Sequence, residues 1–364
     1  MNVVHLIITG GIGGIETLTR EISEISHQNN IFYFLFDGGV IAEQVAENHM
    51  VHIAHGSHTD FYGEAKKFTK FCKEQKADVI LAHSGAPIIR FLCTYAKSVM
   101  KTPKFILYWH SNASIWFCSK SKIKNLLSKS IEKAALKKCD YAVAISESVK
   151  QSFVKLLGNE EKIKVVYNGM DTNRFARAPL PKSNTFEIIY VGRVFRAKGV
   201  HLLIEALAHL PETSSIHLNI VGKYAEKYGN MLKASIEENN LQEKISLCGA
   251  QTNVNTWLQK SNLFVHPAII NEGFGITLAE AMACGVPCVA FDEGAMREII
   301  EDGKNGFIAE EQTAASLAKQ MEKIYTLWQQ EPQTYEKMCR YAHQSAQKFS
   351  IENTCLLYTS DAAD

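Results

Sequence analysis

The chain has 364 residues, enough for two domains of ordinary size, and 46% hydrophobic residues let each build a core. Its 39 Lys and Arg nearly balance 38 Asp and Glu, which excludes a global attraction to nucleic acid or an acidic partner. Nine cysteines, an odd number without C-x-x-C spacing, read as reduced thiols and argue against a disulfide framework or a zinc site.

The start of the chain lacks a basic segment followed by an apolar run, and no apolar run approaches the roughly 20 residues that span a bilayer. A cytoplasmic protein is expected, with peripheral contact at the inner face of the cell membrane left open. Short, nearly continuous apolar runs predict strands at 3–9, 31–37, 50–54, 78–83, 105–110, 141–145 and 164–167. Strands buried on both faces read this way, and the helical patterns between them predict a parallel sheet with right-handed crossovers. The rhythm breaks at 168–183, which holds Gly169, Pro179 and Pro181 and reads as a connection between domains. It resumes with strands at 186–191, 216–221, 245–248, 263–266 and 287–291, and with helices near 200–210, 228–239, 276–284 and 313–329. The expected organisation is a first Rossmann-like domain over 1–170, a linker over 171–185 and a second Rossmann-like domain over 186–333. A last helix over 334–350 is expected to pack back on the first domain, followed by a disordered or non-native tail over 351–364. Two doubly wound sheets in tandem would turn their carboxyl ends toward a shared cleft.

Four segments carry chemistry. After the first strand, Gly10, Gly11, Gly13 and Gly14 surround Ile12, and a helix is expected from about Ile15, whose free N–H groups form an anion site. The dinucleotide pattern fails, because the sixth position from Gly11 is Glu16, so Asp37 is discounted as a ribose-binding acid. A tight strand-to-helix turn explains the same glycines. His110 ends a strand, on the side where α/β sheets meet ligands, and can hydrogen-bond a sugar hydroxyl there; a structural role is the commoner explanation for one histidine. Arg193 and Lys198, spaced by Gly192 and Gly199, supply the fixed positive charge that a diphosphate leaving group needs, with Arg196 a weaker candidate; a solvated basic loop is the alternative. The heaviest signal is the run from His266 to Ala290. Glu272 precedes Gly273 and Gly275 in a loop, and Glu280 lies eight residues later in an apolar helix. A loop carboxylate can accept from sugar hydroxyls, a helix carboxylate can reach a ribose diol, and the N–H groups from Gly275 to Leu278 face phosphate.

Taken together, Gly13, Gly14 and Glu16, the run VVYNGMDTNRF, GRVFRAKG, the Glu272–Glu280 pair around EGFG, and EIIEDGKNGFI make the chain resemble the retaining GT-B glycosyltransferases of family 4 over nearly its whole length. The resemblance implies a metal-independent transfer of a sugar from a nucleotide-diphosphate donor to a glycan or lipid-linked acceptor, with a UDP-sugar favoured over GDP-mannose. It implies an acceptor site at Gly13, Gly14, Glu16 and His110. It implies a donor site at Gly14, Arg193, Lys198, Cys248, Gly249, Glu272, Gly273, Phe274, Gly275, Ile276, Thr277 and Glu280. Glu272, His110, Arg193 and Lys198 would take part in catalysis, the base would lie against the main chain at Cys248 and Gly249, and the departing diphosphate would help deprotonate the acceptor. No cofactor or metal is expected, since no D-x-D follows a strand and the two cations take the metal's place. Ser111 and the single glycine in FDEGAMREI depart from the family pattern and bear on acceptor identity.

The segment 119–138 carries seven Lys and one Glu, with Ile123, Leu126, Leu127, Ile131 and Leu136 expected on an apolar side that packs against the sheet. Weak attraction of 120–138 to anionic membrane, about 1 kcal/mol per near-surface Lys, would suit a lipid-linked acceptor in cell-surface polysaccharide or lipopolysaccharide assembly. The rival readings are a GT-B epimerase or phosphorylase and a non-catalytic nucleotide-sugar-binding partner.

Overall fold

Runs such as Val79–Ala82, Leu263–His266 and Cys288–Phe291 are buried at every residue, which requires helices on both faces of their sheets. The computed structural model describes residues 1–355 except 12, 117, 118, 120, 159, 178–182 and 212–214. It divides into two units, Met1–Gly169 joined by the residues from Ile351, and Met170–Ser350.

In the first unit, strands β1 (Asn2–Ile7), β2 (Asn29–Phe34), β3 (Met50–Ile53), β4 (Val79–Ala82), β5 (Lys104–Trp109), β6 (Tyr141–Ala144) and β7 (Ile163–Val165) form a parallel sheet. Helices α1 (Gly14–Ile25), α2 (Val40–Ala46), α3 (Phe61–Glu74), α4 (Pro87–Val99), α5 (Ala113–Trp116), α6 (Lys122–Lys138) and α7 (Glu147–Leu157) connect them. The strand order is β3-β2-β1-β4-β5-β6-β7, so the winding reverses between β1 and β4. Only the edge strand β3 alternates exposed and half-buried residues. Start and stop signals act where they stand: Asp60 and Ser146 cap α3 and α7 by accepting from Gly63 N and Val149 N, and left-handed Gly158 ends α7.

The second unit holds β8 (Phe186–Val191), β9 (Ile216–Val221), β10 (Ile245–Gly249), β11 (Leu263–His266), β12 (Cys288–Phe291) and β13 (Gly306–Ala309) in the parallel order β10-β9-β8-β11-β12-β13. Its helices are α8 (Val200–Ala208), α9 (Glu226–Glu238), α10 (Val254–Leu258), α11 (Ile276–Ala283), α12 (Met296–Ile299), α13 (Ala314–Gln330) and α14 (Pro332–Ala346). Both sheets are doubly wound, as expected. Strand β13 is absent from the sequence reading; it is four residues long and opens on Gly306, where a Cβ would come within 1.9 Å of Cys288 O.

The end of the chain differs from expectation. Helix α14 packs on α11 and α13 within the second unit, not on the first. Tyr335 Oη donates to Asn262 O at 2.8 Å, His343 Nδ1 meets Ala283 O at 2.6 Å, and Glu336 pairs with Arg177. The segment that rejoins the first unit is 351–355, the start of the tail expected to be disordered or non-native. It is helical, buries Ile351 and Cys355 against Leu18 and Ile22 of α1, and ties Thr354 Oγ1 to Tyr167 O at 2.9 Å. The rest of that tail, 356–364, lies outside the described residues. The expected linker is likewise part of the second unit where described, with Phe175 buried and Arg177 paired, while 178–182 lie outside the described residues.

Helix α6 also departs from its expected packing. Leu136 is buried, but Ile123, Leu126 and Leu127 are 72%, 66% and 58% exposed. Its one acidic residue, Glu132, is buried and holds Arg90 at 3.0 Å and Trp109 Nε1 at 2.6 Å, so the outer face carries Lys122, Lys124, Lys129, Lys133, Lys137 and Lys138 unopposed by any acid of the helix. Lys120 of that segment lies outside the described residues. Among the described residues no helix is long and apolar enough to cross a membrane.

Candidate functional site

In each unit the candidate residues gather where the winding reverses, beyond the carboxyl ends of β1, β4 and β5 in the first and of β8 and β11 in the second, the place where open α/β sheets bind ligands. In the first unit the chain leaves β1 through a glycine turn. A Cβ on Gly10 would lie 2.5 Å from the Ala42 Cβ, so that glycine serves close packing of α2. Helix α1 starts at Gly14, one residue before the expected position, with extended Gly13 as its N-cap. The Glu16 carboxylate folds back over Gly13, where a Cβ would overlap its Oε2. Burial raises the Glu16 carboxyl, and a bond from its own backbone N–H offsets part of that rise. Gly11 and Gly14 face open space, and Gly14 is exposed, leaving the first turn of α1 accessible; Ile12 lies outside the described residues. His110 follows β5, stacks on Tyr108 with ring centroids 4.3 Å apart and meets His83 at 3.3 Å; burial, helped by the Arg90 charge, pushes its imidazole down to about 3.

In the second unit, three strand ends are laced together by close backbone approach. Gly192 N donates to Val221 O at 3.0 Å, and Gly222 N donates to Gly249 O at 2.8 Å. A Cβ at Gly222, whose φ is 155°, would lie 1.7 Å from Gly192 O. This aligns the Arg193 turn with Cys248 and Gly249. Arg193 is exposed, its guanidinium lies 5.4 Å from the Phe195 ring centroid, and its carbonyl accepts from Tyr190 Oη at 2.9 Å. The Cys248 carbonyl already accepts from Gln251 Nε2 at 2.8 Å and keeps one lone pair for another donor.

A 3-10 turn, Arg196–Lys198, then carries Lys198 inward and ends at left-handed Gly199 (φ 69°), where a Cβ would sit 1.7 Å from Pro267 O. Ile269 N donates to Ala197 O at 3.0 Å and binds this turn to the loop after β11. The result is a direct ion pair between Lys198 Nζ and Glu272 Oε2, with both side chains largely shielded from water. His266 Nε2 stands 3.7 Å from the same oxygen. Burial pushes the Glu272 carboxyl up, but the His266 ring and the Lys198 ammonium reverse this and bring it down to about 2, so it is ionised at neutral pH. Both ring nitrogens of His266 and the Oδ1 of Asn271 are buried without a hydrogen-bond partner among the described residues.

The Glu272 loop leads through buried Gly273 to left-handed Gly275 (φ 88°), the N-cap of α11. Its carbonyl accepts from Leu278 N and Ala279 N, while Ile276 and Thr277 present the first-turn N–H groups. The ring of Phe274 is engaged with Phe349, with centroids 5.1 Å apart. Glu280 is half-buried on α11. Lys198 and Glu272 are thus brought into contact with the start of α11 behind them, while Arg193, Cys248 and Gly249 stand along the adjoining strand ends. His110, Gly13, Gly14 and Glu16 belong to the other unit. Among the described residues no three His, Cys, Asp or Glu converge in a way that could hold a metal ion.

Comparison with known families agrees with this division. The model of glycosyl transferases group 1 matches residues 171–345, and that of glycosyltransferase family 4 matches residues 12–174. The chain belongs to the family 4, group 1 glycosyltransferases. An uncharacterized glycosyltransferase of Methanocaldococcus jannaschii is 27% identical over 242 residues, covering 63% of this chain and 61% of the relative. The putative colanic acid biosynthesis glycosyltransferase WcaL of Escherichia coli is 31% identical over 170 residues, 44% of this chain and 41% of that protein. The alignment therefore spans about three fifths of the first relative and less of the second. The crystal structure of HepE from Anabaena, in complex with UDP, superposes over 100% of both chains with a TM-score of 0.87 at 22% identity, which shows the GT-B fold.

For this family 4 member, the sequence by itself assigns no role to His266, Tyr190, His5 or His83. His266 and Tyr190 sit inside regular strand patterns and reach the site only through contacts with residues far along the chain. The signal that was available is chemical: a histidine closing an otherwise apolar four-residue strand.

Proposed function

We propose that the chain transfers a hexosyl group, with retention and without a metal, from a UDP-sugar to a glycan or lipid-linked acceptor in cell-surface polysaccharide or lipopolysaccharide assembly. The observation that carries this reading is the Lys198–Glu272 pair, with His266 Nε2 3.7 Å from the same carboxylate oxygen. Glu272, ionised at neutral pH, accepts from the sugar hydroxyls. Lys198 and Arg193 neutralise the departing diphosphate together with the first N–H groups of α11, where the developing charge is greatest. Glu280 reaches the ribose, and the main chain at Cys248 and Gly249 meets the base. Gly13, Gly14, Glu16 and His110 contribute from the first domain to the acceptor and the transferred sugar. The UDP bound to HepE supports uridine over guanosine, and the colanic acid role in the name of WcaL supports a surface glycan.

The exposed Ile123, Leu126 and Leu127, surrounded by the lysines of α6, form a peripheral docking face for an anionic lipid surface at the inner side of the cell membrane. Such a face would bring the enzyme to a lipid-linked acceptor.

A thermal-shift screen over UDP- and GDP-sugars, followed by transfer assays with and without EDTA, tests the enzyme reading. A UDP-sugar is expected to raise the melting temperature, and EDTA to leave turnover unchanged. Release of free sugar without any acceptor would point to an epimerase-type reaction, and binding without turnover to a non-catalytic partner.

A further inference from the structure

Four polar side chains cross the first sheet in a line. Asn30 lies on β2, His5 on β1, and His83 and His110 follow β4 and β5. The register sets Val3 opposite Asn30, Leu6 opposite Ala82, and Ala82 opposite Leu107. Each member therefore stands two residues further along the strands than the one before, and all four share one face. Asn30 Oδ1 is 3.0 Å from His5 Nε2, His5 Nδ1 is 3.1 Å from His83 Nε2, and His83 Nδ1 is 3.3 Å from His110 Nε2.

A row of neutral imidazoles has two proton arrangements, in which every ring donates one way or every ring donates the other. The Asn30 end selects between them. Its Nδ2 lies 3.2 Å from Gln28 O and 3.5 Å from Ser23 O, both of which only accept, so the amide oxygen must be the atom that faces His5. His5 then donates from Nε2 and accepts at Nδ1. His83 donates from Nε2 to His5 and accepts at Nδ1, and His110 donates from Nε2 to His83. The remaining lone pair of the row is His110 Nδ1, which has no hydrogen-bond partner among the described residues. Burial keeps the rings neutral: His5 is pushed down to about 4, His83 well below the ordinary imidazole range and His110 to about 3. No ring takes the second proton that would erase the direction.

We infer that Asn30, His5 and His83 are positioning residues that hold His110 as its Nε2–H tautomer and present its Nδ1 lone pair, beyond the carboxyl end of β5, to a hydroxyl of the transferred sugar. The sugar contact rests on the proposed glycosyl transfer; the tautomer stands without it. An acceptor fixed in this way discriminates for a donor sugar that carries a hydroxyl at that position and against one that lacks it.

Long-range 15N–1H correlation spectra of the full chain read the tautomer directly, with His110→Gln identifying the resonances. His110 is expected to show a pyridine-type Nδ1 and a pyrrole-type Nε2. Asn30→Ala removes the anchor, and His83→Phe cuts the row while keeping a stacked ring. In both, the two His110 nitrogens move toward averaged shifts. A His110 protonated at Nδ1 in the unaltered protein, or an unchanged Nε2–H pattern in both variants, overturns the relay. Should Asn30→Ala not fold, the unaltered protein and His83→Phe decide. With the UDP-sugar found by screening, His83→Phe is expected to lower kcat/KM about tenfold, and the deoxy donor lacking the contacted hydroxyl to show no such loss. An equal loss with both donors removes the sugar contact, and binding of no nucleotide sugar removes the glycosyl transfer reading while leaving the tautomer result in place.

Discussion

The ammonium of Lys198 and the carboxylate of Glu272 meet directly, one carried by the turn after β8 and the other by the loop after β11. In the proposed transfer the cation meets the diphosphate and the anion a sugar hydroxyl. Glu272→Ala and Lys198→Ala are each expected to lower kcat/KM about 100-fold or more while a cooperative thermal melt is retained. Near-normal turnover in either variant would place the donor elsewhere.

The same pair gives Glu272 a pH signature. Its carboxyl is depressed from the ordinary 4.5 to about 2, so its contribution to stability is complete above about pH 5 and is lost as the pH falls through 4.5 toward 2. Denaturant melts of the unaltered protein and of Glu272→Gln are expected to differ by a constant amount between about pH 5 and 7 and to converge in acid. A difference that grew in acid would contradict the depressed value.

Two left-handed glycines of the second domain separate strain from crowding. Gly249 (φ 67°) has open space where a Cβ would stand, whereas a Cβ at Gly199 (φ 69°) would overlap Pro267 O at 1.7 Å. Gly249→Ala should cost about 1–2 kcal/mol, the left-handed penalty alone. Gly199→Ala should cost more and should also weaken donor binding, because the turn it displaces carries Lys198. Equal melting temperatures for the two variants would mean that the turn gives way without loss.

Arg90 and Glu132 are fully buried in the first domain at 3.0 Å, and Trp109 Nε1 donates to the same carboxylate. Either alanine variant leaves an unmatched charge in the interior and is expected to destabilise by about 3–5 kcal/mol in chemical denaturation. The double variant should be milder than the sum of the two, since it removes both charges.

Helix α6 offers the opposite case. Ile123→Lys and Leu126→Lys alter side chains that are 72% and 66% exposed, so stability should change by less than about 0.5 kcal/mol. Flotation with anionic vesicles is expected to fall despite the added positive charge, because the apolar insertion is gone. Unchanged flotation would show that the lysines act alone.

Much of this protein was decided locally, and the sequence alone carries it. Strands buried on both faces must be short and continuously apolar, and five of the six strands of the second sheet were legible within a residue of their ends; Gly306 hid the sixth. The spacing of Arg193, Lys198, Glu272 and Glu280 relative to strand ends was legible because a doubly wound sheet delivers its carboxyl ends to one edge. What only the tertiary structure decided depends on residues far apart in the chain. His266 beside Glu272, the row from Asn30 to His110, the packing of α14 on α11, and the return of 351–355 to α1 leave no periodic trace, since periodicity groups residues on one face of an element and does not say what that face meets. Helix α6 shows the limit most plainly: its amphipathic spacing marks Ile123, Leu126 and Leu127 as one face, yet the fold buries Glu132 and Leu136 and leaves those three in water.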